Sequence, residues 1–398
     1  MSADEPGGQG NPDIFRALFQ IFSDPGRLQW DLASELARET AAEGGQSSNV
    51  DPMRRIRIEE LCRVAELHIA SASGLDTAVA GKPVAPEVVN PPEWAARTLS
   101  DWKPLLSLIA DAHAAPLDGM EDGIAADIPG LPPLLARAFG QAAQAIGPAM
   151  LGMQLGSSIG YLARRVFGQY DLPIPRSPSE KILFVPHNIA TFADDWSLPA
   201  DDVCLWVCMR EVAHHAVLSI AHVRDHIQGA LEEYARNFSP EPSILEERIA
   251  AMDLSEVSDI EQLQQLFGDP SEILARMVGP EQGAARDQIS AVVAALEGWV
   301  DHVMDSIGQT LISSYGPITE ALRRRRVVRE EGERYIDVLF GLTMDQQAFA
   351  RGSAFVEGVV ERAGGDGLAK LWSRPEHLPT PADVDAPGLW LERISYVE

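Results

Sequence analysis

Apolar residues recur at helical spacing along most of this chain, and only one short run has the β-branched and aromatic mix of a strand. Ile14, Leu18, Phe19 and Phe22 predict a first helix, after an acidic, Gly-rich segment at residues 1–13 that is expected to be disordered. A polar stretch, ETAAEGGQSSNVDP, separates it from an amphipathic helix over 54–73, whose expected apolar face carries Ile56, Leu61, Val64, Leu67 and His68. Helices are also expected over 92–113, with Pro92 near the start, and over 131–167, opened by Pro132 and Pro133. The Pro-rich run YDLPIPRSPSE at 170–180 then reads as a boundary or surface crossing, and KILFVPHNI as the strand.

A helix should begin near Pro199, with Asp201 and Asp202 in its first turn, and run past His222. Helical patterns return over 243–252, 256–267, 270–278, 281–308 and 309–329, and two short helices between Met344 and Trp372 are closed by Gly364 and Gly365. The expected organisation is a tail at 1–13, an N-terminal helical region at 14–175, a second domain at 176–385 and a surface tail at 386–398. The fold class is mainly α, and no fixed-period repeat supports a solenoid.

Between Arg137 and Arg164 lie 26 uncharged residues, with Gly152, Gly156 and Gly160 four apart, the spacing of close helix packing. Gln141, Gln144, Pro148, Gln154, Ser157 and Ser158 interrupt the run, so a buried helix pair is expected in place of a membrane span. The 59 acidic against 32 basic residues, a formal charge of −27, repel phosphate backbones and exclude nucleic acid as a natural partner. Cys62, Cys204 and Cys208 form no CxxC pair and are expected to pack as small apolar residues. The first residues lack a basic and an apolar signal region, so a cytoplasmic location is expected.

Candidate chemistry is concentrated in WVCMREVAHHAVL, residues 206–218. A zinc hydrolase of the His-Glu-x-x-His type takes two ligands and a general base from one helix, because zinc needs neutral imidazole or carboxylate donors and a carboxylate to deprotonate its water. Here His214 stands at the second ligand position and Glu211 at the base position, but Arg210 stands at the first. A guanidinium stays charged at any working pH. Placed about 4 Å from a divalent ion at an effective dielectric near 20, it costs roughly 8 kcal/mol, comparable with much of the ~10–16 kcal/mol of structural zinc binding. Arg210 is therefore expected to neutralise Glu211, Glu297 or both, in the role a metal would otherwise have. His215 points about 100° from His214 on a helix and would rarely share an ion with it. His222 and His226 read as a polar face or helix end, His187 is assigned no chemistry, and RRRRVVR at 323–329 reads as a helix with internal ion pairs. No GxGxxG, P-loop or GxSxG string occurs.

Several blocks carry a family resemblance in order and spacing: GQYDLPIPR at 168–176, ILFVPHNIATF at 182–192, LWVCMREVAHHAV at 205–217, ALEGWVDHVMDSIG at 295–308 and LAKLWSRPEHLPTPADV at 368–384. Over about residues 130–385 the chain resembles the actinobacterial zincin-like family known as zinc-dependent metalloproteases or as associated with deazaflavin-coenzyme biosynthesis. The resemblance implies a zincin-like domain with an N-terminal helical region and little β-structure. It implies His214 and Glu297 as metal ligands, Glu211 as general base, and a histidine where Arg210 stands. The expectation is a protein without catalytic zinc or other cofactor, binding a protein or peptide partner as a scaffold. The alternative is an active zinc-dependent metallohydrolase using His214, Glu297 and a substitute ligand such as His215 or His302, with Glu211 as base.

Overall fold

A helix apolar on every side has to be surrounded by protein, and the run at residues 200–218, with fourteen buried side chains, sits at the centre of the fold. The computed structural model describes residues 28–43, 49–118, 151–237, 280–327, 331–342 and 344–396. The expected segments at 1–13, 14–22, 131–150 and 243–278 lie outside the described residues. In chain order the elements are α1 (Trp30–Ala42), α2 (Pro52–Ser73), β1 (Ala85–Val88), α3 (Pro91–Asp118), α4 (151–163), β2 (Lys181–Phe184), α5 (Pro186–Asp195) and α6 (Ala200–Leu218). There follow α7 (Ala221–Arg236), α8 (Pro280–Leu311), α9 (Tyr315–Val327), α10 (Glu331–Leu339), α11 (Gln346–Ala369), a 3-10 turn at Pro375–His377, α12 (Pro381–Asp385) and α13 (Pro387–Ser395). The protein is mainly helical, as the periodicity predicts.

Around α6 pack α2, α5 and α8, while α8 runs along α11 and α7. The two strands pair in parallel, Ala85 opposite Lys181 through Val88 opposite Phe184. The predicted strand is β2; β1 was not anticipated, since a four-residue run containing Pro86 carries little strand signal and proline is confined to edge strands. This pairing joins residues on both sides of the expected boundary at 176, and the buried core is continuous from Leu28 to Ile394.

Four expectations are corrected. The buried face of α2 is Ile58, Leu61, Cys62, Ala65 and Ile69, whereas Ile56, Val64 and Leu67 are exposed. Both stripes are apolar, but the one containing Cys62 and Ala65 is small enough to let α2 approach α6 closely. The polar stretch after the first helix begins later than expected, because α1 continues through Ala42. The motif helix does not run past His222: Ile220 takes an extended ψ of 120°, the hydrogen-bond ladder breaks, and the chain turns by 86° into α7. The C-terminal end is no surface tail, since Trp390 is fully buried, edge-on to Phe355 at 5.6 Å, with its Nε1 donating to the carbonyl of His377. Apolar residues at 390 and 394, one helical turn apart, dock α13, and Pro387 opens it.

The glycine spacing of α4 finds its physical reason in α1. A Cβ at Gly156 would lie 2.5 Å from the carbonyl oxygen of Ala33, and one at Gly160 2.5 Å from Thr40 Cβ. Between Met344 and Trp372 the helical course is interrupted at Gly364, whose φ of 65° only glycine adopts freely. No single helix among the described residues is long and apolar enough to cross a membrane.

Candidate functional site

The i, i+4 spacing on α6 places Arg210 and His214 on one face, and α8 brings Glu297 against it. Arg210 Nη2 donates to Glu297 Oε2 at 2.7 Å, and His214 Nε2 meets Glu297 Oε1 at 2.9 Å. The other ring nitrogen of His214, Nδ1, lies 2.9 Å from the carbonyl oxygen of Arg210. His214 and Glu297 are buried, 0% and 1% exposed at the side chain, so these bonds are closed to water. Burial works to raise the Glu297 pKa, but the Arg210 guanidinium and His214 outweigh it and hold the carboxyl far below the usual range. Nδ1 of His214 thus faces its own helix and Nε2 faces Glu297, so both ring nitrogens are engaged inside the protein.

Arg210 is further placed by Asp301, one turn along α8 from Glu297, with Nη1 3.7 Å from Oδ1. Arg326 of α9 approaches Asp301 Oδ2 at 3.6 Å and stacks over Phe349 at 4.1 Å. The arginine run thus differs from its reading as internal ion pairs. Arg324 pairs with Glu320 on the same helix, whereas Arg325 lies 4.0 Å over Phe167 and Arg326 turns toward the Arg210 cluster.

Glu211 faces a different element. Its Oε2 accepts from the backbone N–H groups of Gln169 and Tyr170 at 2.8 and 2.9 Å, and a Cβ on Gly168 would fall 2.5 Å from its carboxyl carbon. Asp171 accepts from the backbone N–H groups of Phe167 and Gly168, at 2.5 and 3.0 Å. Loop 167–171 is therefore pinned by two neighbouring carboxylates, and burial first, then the Asp171 charge, raises the Glu211 pKa to about 8 against the opposing backbone bonds. Tyr170 stacks on His214, rings 12° from parallel and 6.1 Å apart, and its hydroxyl meets His215 Nδ1 at 3.0 Å.

Among the other histidines, His302 is half-buried on α8, five residues past Glu297 and so turned about 140° around the helix from it. His222 and His226 stand half-buried on α7. Sequence reasoning did not single out Asp171, Asp301 or Arg326. The block GQYDLPIPR was the available signal for the first, since a glycine followed by polar residues beside an apolar helix invites a backbone-to-carboxylate clasp.

Burial alone lowers the His215 pKa from 6.5 to about 4. Between those values the unfolded chain takes up a proton that the folded chain refuses, so stability from His215 is full above pH ~6.5 and lost as pH falls. Glu211 acts with the opposite sign: its contribution is full below about 4.5 and lost as pH rises toward 8. Comparing wild type with His215→Gln isolates the first effect. The difference in their unfolding free energies should shrink by about 2 kcal/mol from pH 7.5 to pH 5, read by urea titration at each pH. A difference independent of pH would contradict the assigned burial of a neutral ring.

The family model described as zincin-like metallopeptidase matches residues 28–391, and the chain belongs to that family. Among curated proteins none matches significantly. Of solved structures, the crystal structure of "a putative hydrolase with a novel fold" from Chloroflexus aurantiacus is similar, with a TM-score of 0.65 and 22% identity, over 92% of this chain and 99% of that one. At that identity the likeness shows the fold.

The family implies a zinc ion, and the residues present do not fit one. Of the donors the motif requires, His214 and Glu297 hydrogen-bond to each other, and Arg210 holds the second carboxylate oxygen. Nε2, the His214 nitrogen turned away from its own helix, is taken up by Glu297, and the guanidinium at position 210 has no lone pair to offer in place of the missing imidazole. Among the described residues no three His, Cys, Asp or Glu side chains converge as a metal-binding group.

Proposed function

We propose that this chain is a zincin-like protein whose catalytic metal has been replaced by a guanidinium, and that it acts by binding a protein or peptide without hydrolysing it. The observation that carries the reading is the buried Arg210, Glu297 and His214 cluster, in which one cation neutralises the carboxylate that a metal would otherwise coordinate. Glu211 supports the same reading, because its carboxylate clasps the backbone of loop 168–170 in place of facing a water at His214. Metal-assisted hydrolysis needs a water bound and activated on the metal, and a guanidinium offers no coordination position at which a water could be held.

The test is the zinc content of the chain, purified without added metal and measured by elemental mass spectrometry. Wild type should hold close to none, and Arg210→His should acquire close to one zinc per chain by restoring the missing donor and freeing Glu297. One zinc per wild-type chain would overturn the proposal and direct attention to His215 or His302 as the substitute ligand.

A further inference from the structure

A cleft with a cavity volume of about 90 Å³ opens beside the buried cluster. Arg165, Arg210, Arg325 and Arg326 line it, against two acidic residues, Asp171 and Glu333. In a chain with 32 basic and 59 acidic residues, that reverses the overall balance. Three of these guanidiniums lie over aromatic rings: Arg325 over Phe167 at 4.0 Å, Arg326 over Phe349 at 4.1 Å and Arg210 over Trp206 at 5.8 Å. Stacking engages the face of a guanidinium and leaves its in-plane N–H groups to bond at the edge.

Arg210 shows what that edge lacks. Its Nη2 is engaged by Glu297, but Nη1 is buried, has no hydrogen-bond acceptor in the protein, and stands 3.7 Å from Asp301, beyond bonding distance. Arg326 reaches the same carboxylate only at 3.6 Å. Two arginines thus converge on Asp301 without either closing a short bond to it, and the buried Nη1 donor of Arg210, left without an acceptor, is unfavourable unless something completes it.

We propose that this cleft binds a carboxylate bearing a short apolar substituent, the carboxylate held by Arg210 and Arg326 and the substituent packed against Trp206, Leu172, Met344 and Phe349. The assignment rests on the reading that Arg210, and no metal, occupies the centre of the site. A planar carboxylate matches the fork of a guanidinium. With Glu297, Asp301, Asp171 and Glu333 close by, local charge is near balance, which admits a monoanion and disfavours a dianion such as phosphate. The cavity takes a carboxylate and a few carbons, chemistry shared by a short branched-chain acid and by the C-terminal residue of a peptide.

The experiment is isothermal titration of the full chain with isovalerate, N-acetyl-glycyl-leucine, the C-terminal amide of that dipeptide, and inorganic phosphate. At least one free acid should bind saturably. The amide should bind at least about tenfold more weakly than the dipeptide acid wherever that acid binds, because it lacks the charge-assisted bonds. A preference for the dipeptide acid assigns the ligand as a chain terminus, and a preference for isovalerate as a small acid; either supports the proposal. Arg326→Gln should weaken acid binding at least about tenfold, whereas Arg324→Gln, exposed on the same helix, should leave it unchanged. If Arg326→Gln fails to fold, Arg326→Lys keeps the charge while removing the fork and should still weaken binding. Equal binding of dipeptide acid and amide, preference for phosphate, or no saturable binding overturns the assignment. Zinc-free protein that binds no acid overturns the cleft assignment alone, while zinc-loaded wild type overturns the reading of Arg210 and this proposal with it.

Discussion

Arg210→Met will lower the unfolding free energy by about 3 kcal/mol, at the lower end of what breaking a buried ion pair costs. The substitution keeps an unbranched apolar stem and removes the guanidinium, so the loss reports the charge together with the hydrogen bond it makes to Glu297. Glu297, 1% exposed, would be left with His214 as its hydrogen-bond partner and the more distant Arg326 as its remaining guanidinium. Desolvation of the carboxylate would then go largely uncompensated, and its pKa should climb from its depressed position. Combining Arg210→Met with Glu297→Gln should recover more than half of the loss, because a neutral amide needs no counterion and still bonds His214. Urea unfolding at neutral pH reads both variants. A loss below about 1 kcal/mol in the single variant, the range of exposed pairs, would mean that water reaches the cluster and that the guanidinium does not hold the site together.

A similar loss is expected at a position with no charge. Gly352 of α11 crosses α8 so closely that a Cβ there would lie 2.0 Å from the carbonyl oxygen of Ala294, and a Cβ at Gly298 would lie 2.2 Å from the carbonyl oxygen of Gly352. These are backbone atoms, which no rotamer change can move aside, so Gly352→Ala must push two long helices apart. Overpacking costs about 1–3 kcal/mol and more when backbone must shift, and the expected value here is at or above about 3. Gly229→Ala on α7 is the control, with nothing within 4 Å of its added methyl. By removing freedom from the unfolded chain it should stabilise by about 0.5–1 kcal/mol. Because Ala294 lies one turn before Glu297 on α8, Gly352→Ala should also shift the carboxylate from Arg210, visible as a changed pH dependence of stability. Equal effects of the two substitutions would remove close helix approach as the reason for these glycines.

Local pattern already contained much of this molecule. The helices around 54–73, 92–113, 281–308 and 309–329 are present as α2, α3, α8 and α9, because 3.6-residue periodicity and proline starts are properties of a few adjacent turns. The four-residue glycine spacing likewise announced a close packing before its partner α1 was known. Spacing alone put Arg210 and His214 on one face, and the charge of a guanidinium was enough to anticipate a carboxylate beside it.

Choice among equivalent faces was beyond local pattern. Helix α2 has two apolar stripes, and only the presence of α6 selected the one with Cys62 and Ala65. Helix α6 is apolar all round, so its periodicity could not say which way Glu211 turns. Loop 167–171 decides that, by presenting two backbone N–H groups to it from some forty residues earlier in the chain. The same holds for Asp301 and Arg326, which belong to an ordinary helix and an ion-paired run until α8 and α9 carry them to Arg210. Residue types and their intervals determined the helices and the charge at position 210. Which carboxylates, rings and backbone donors meet there was decided by long-range packing, since hydrogen bonds and ion pairs across α6 depend on positions in space that no interval along the chain encodes.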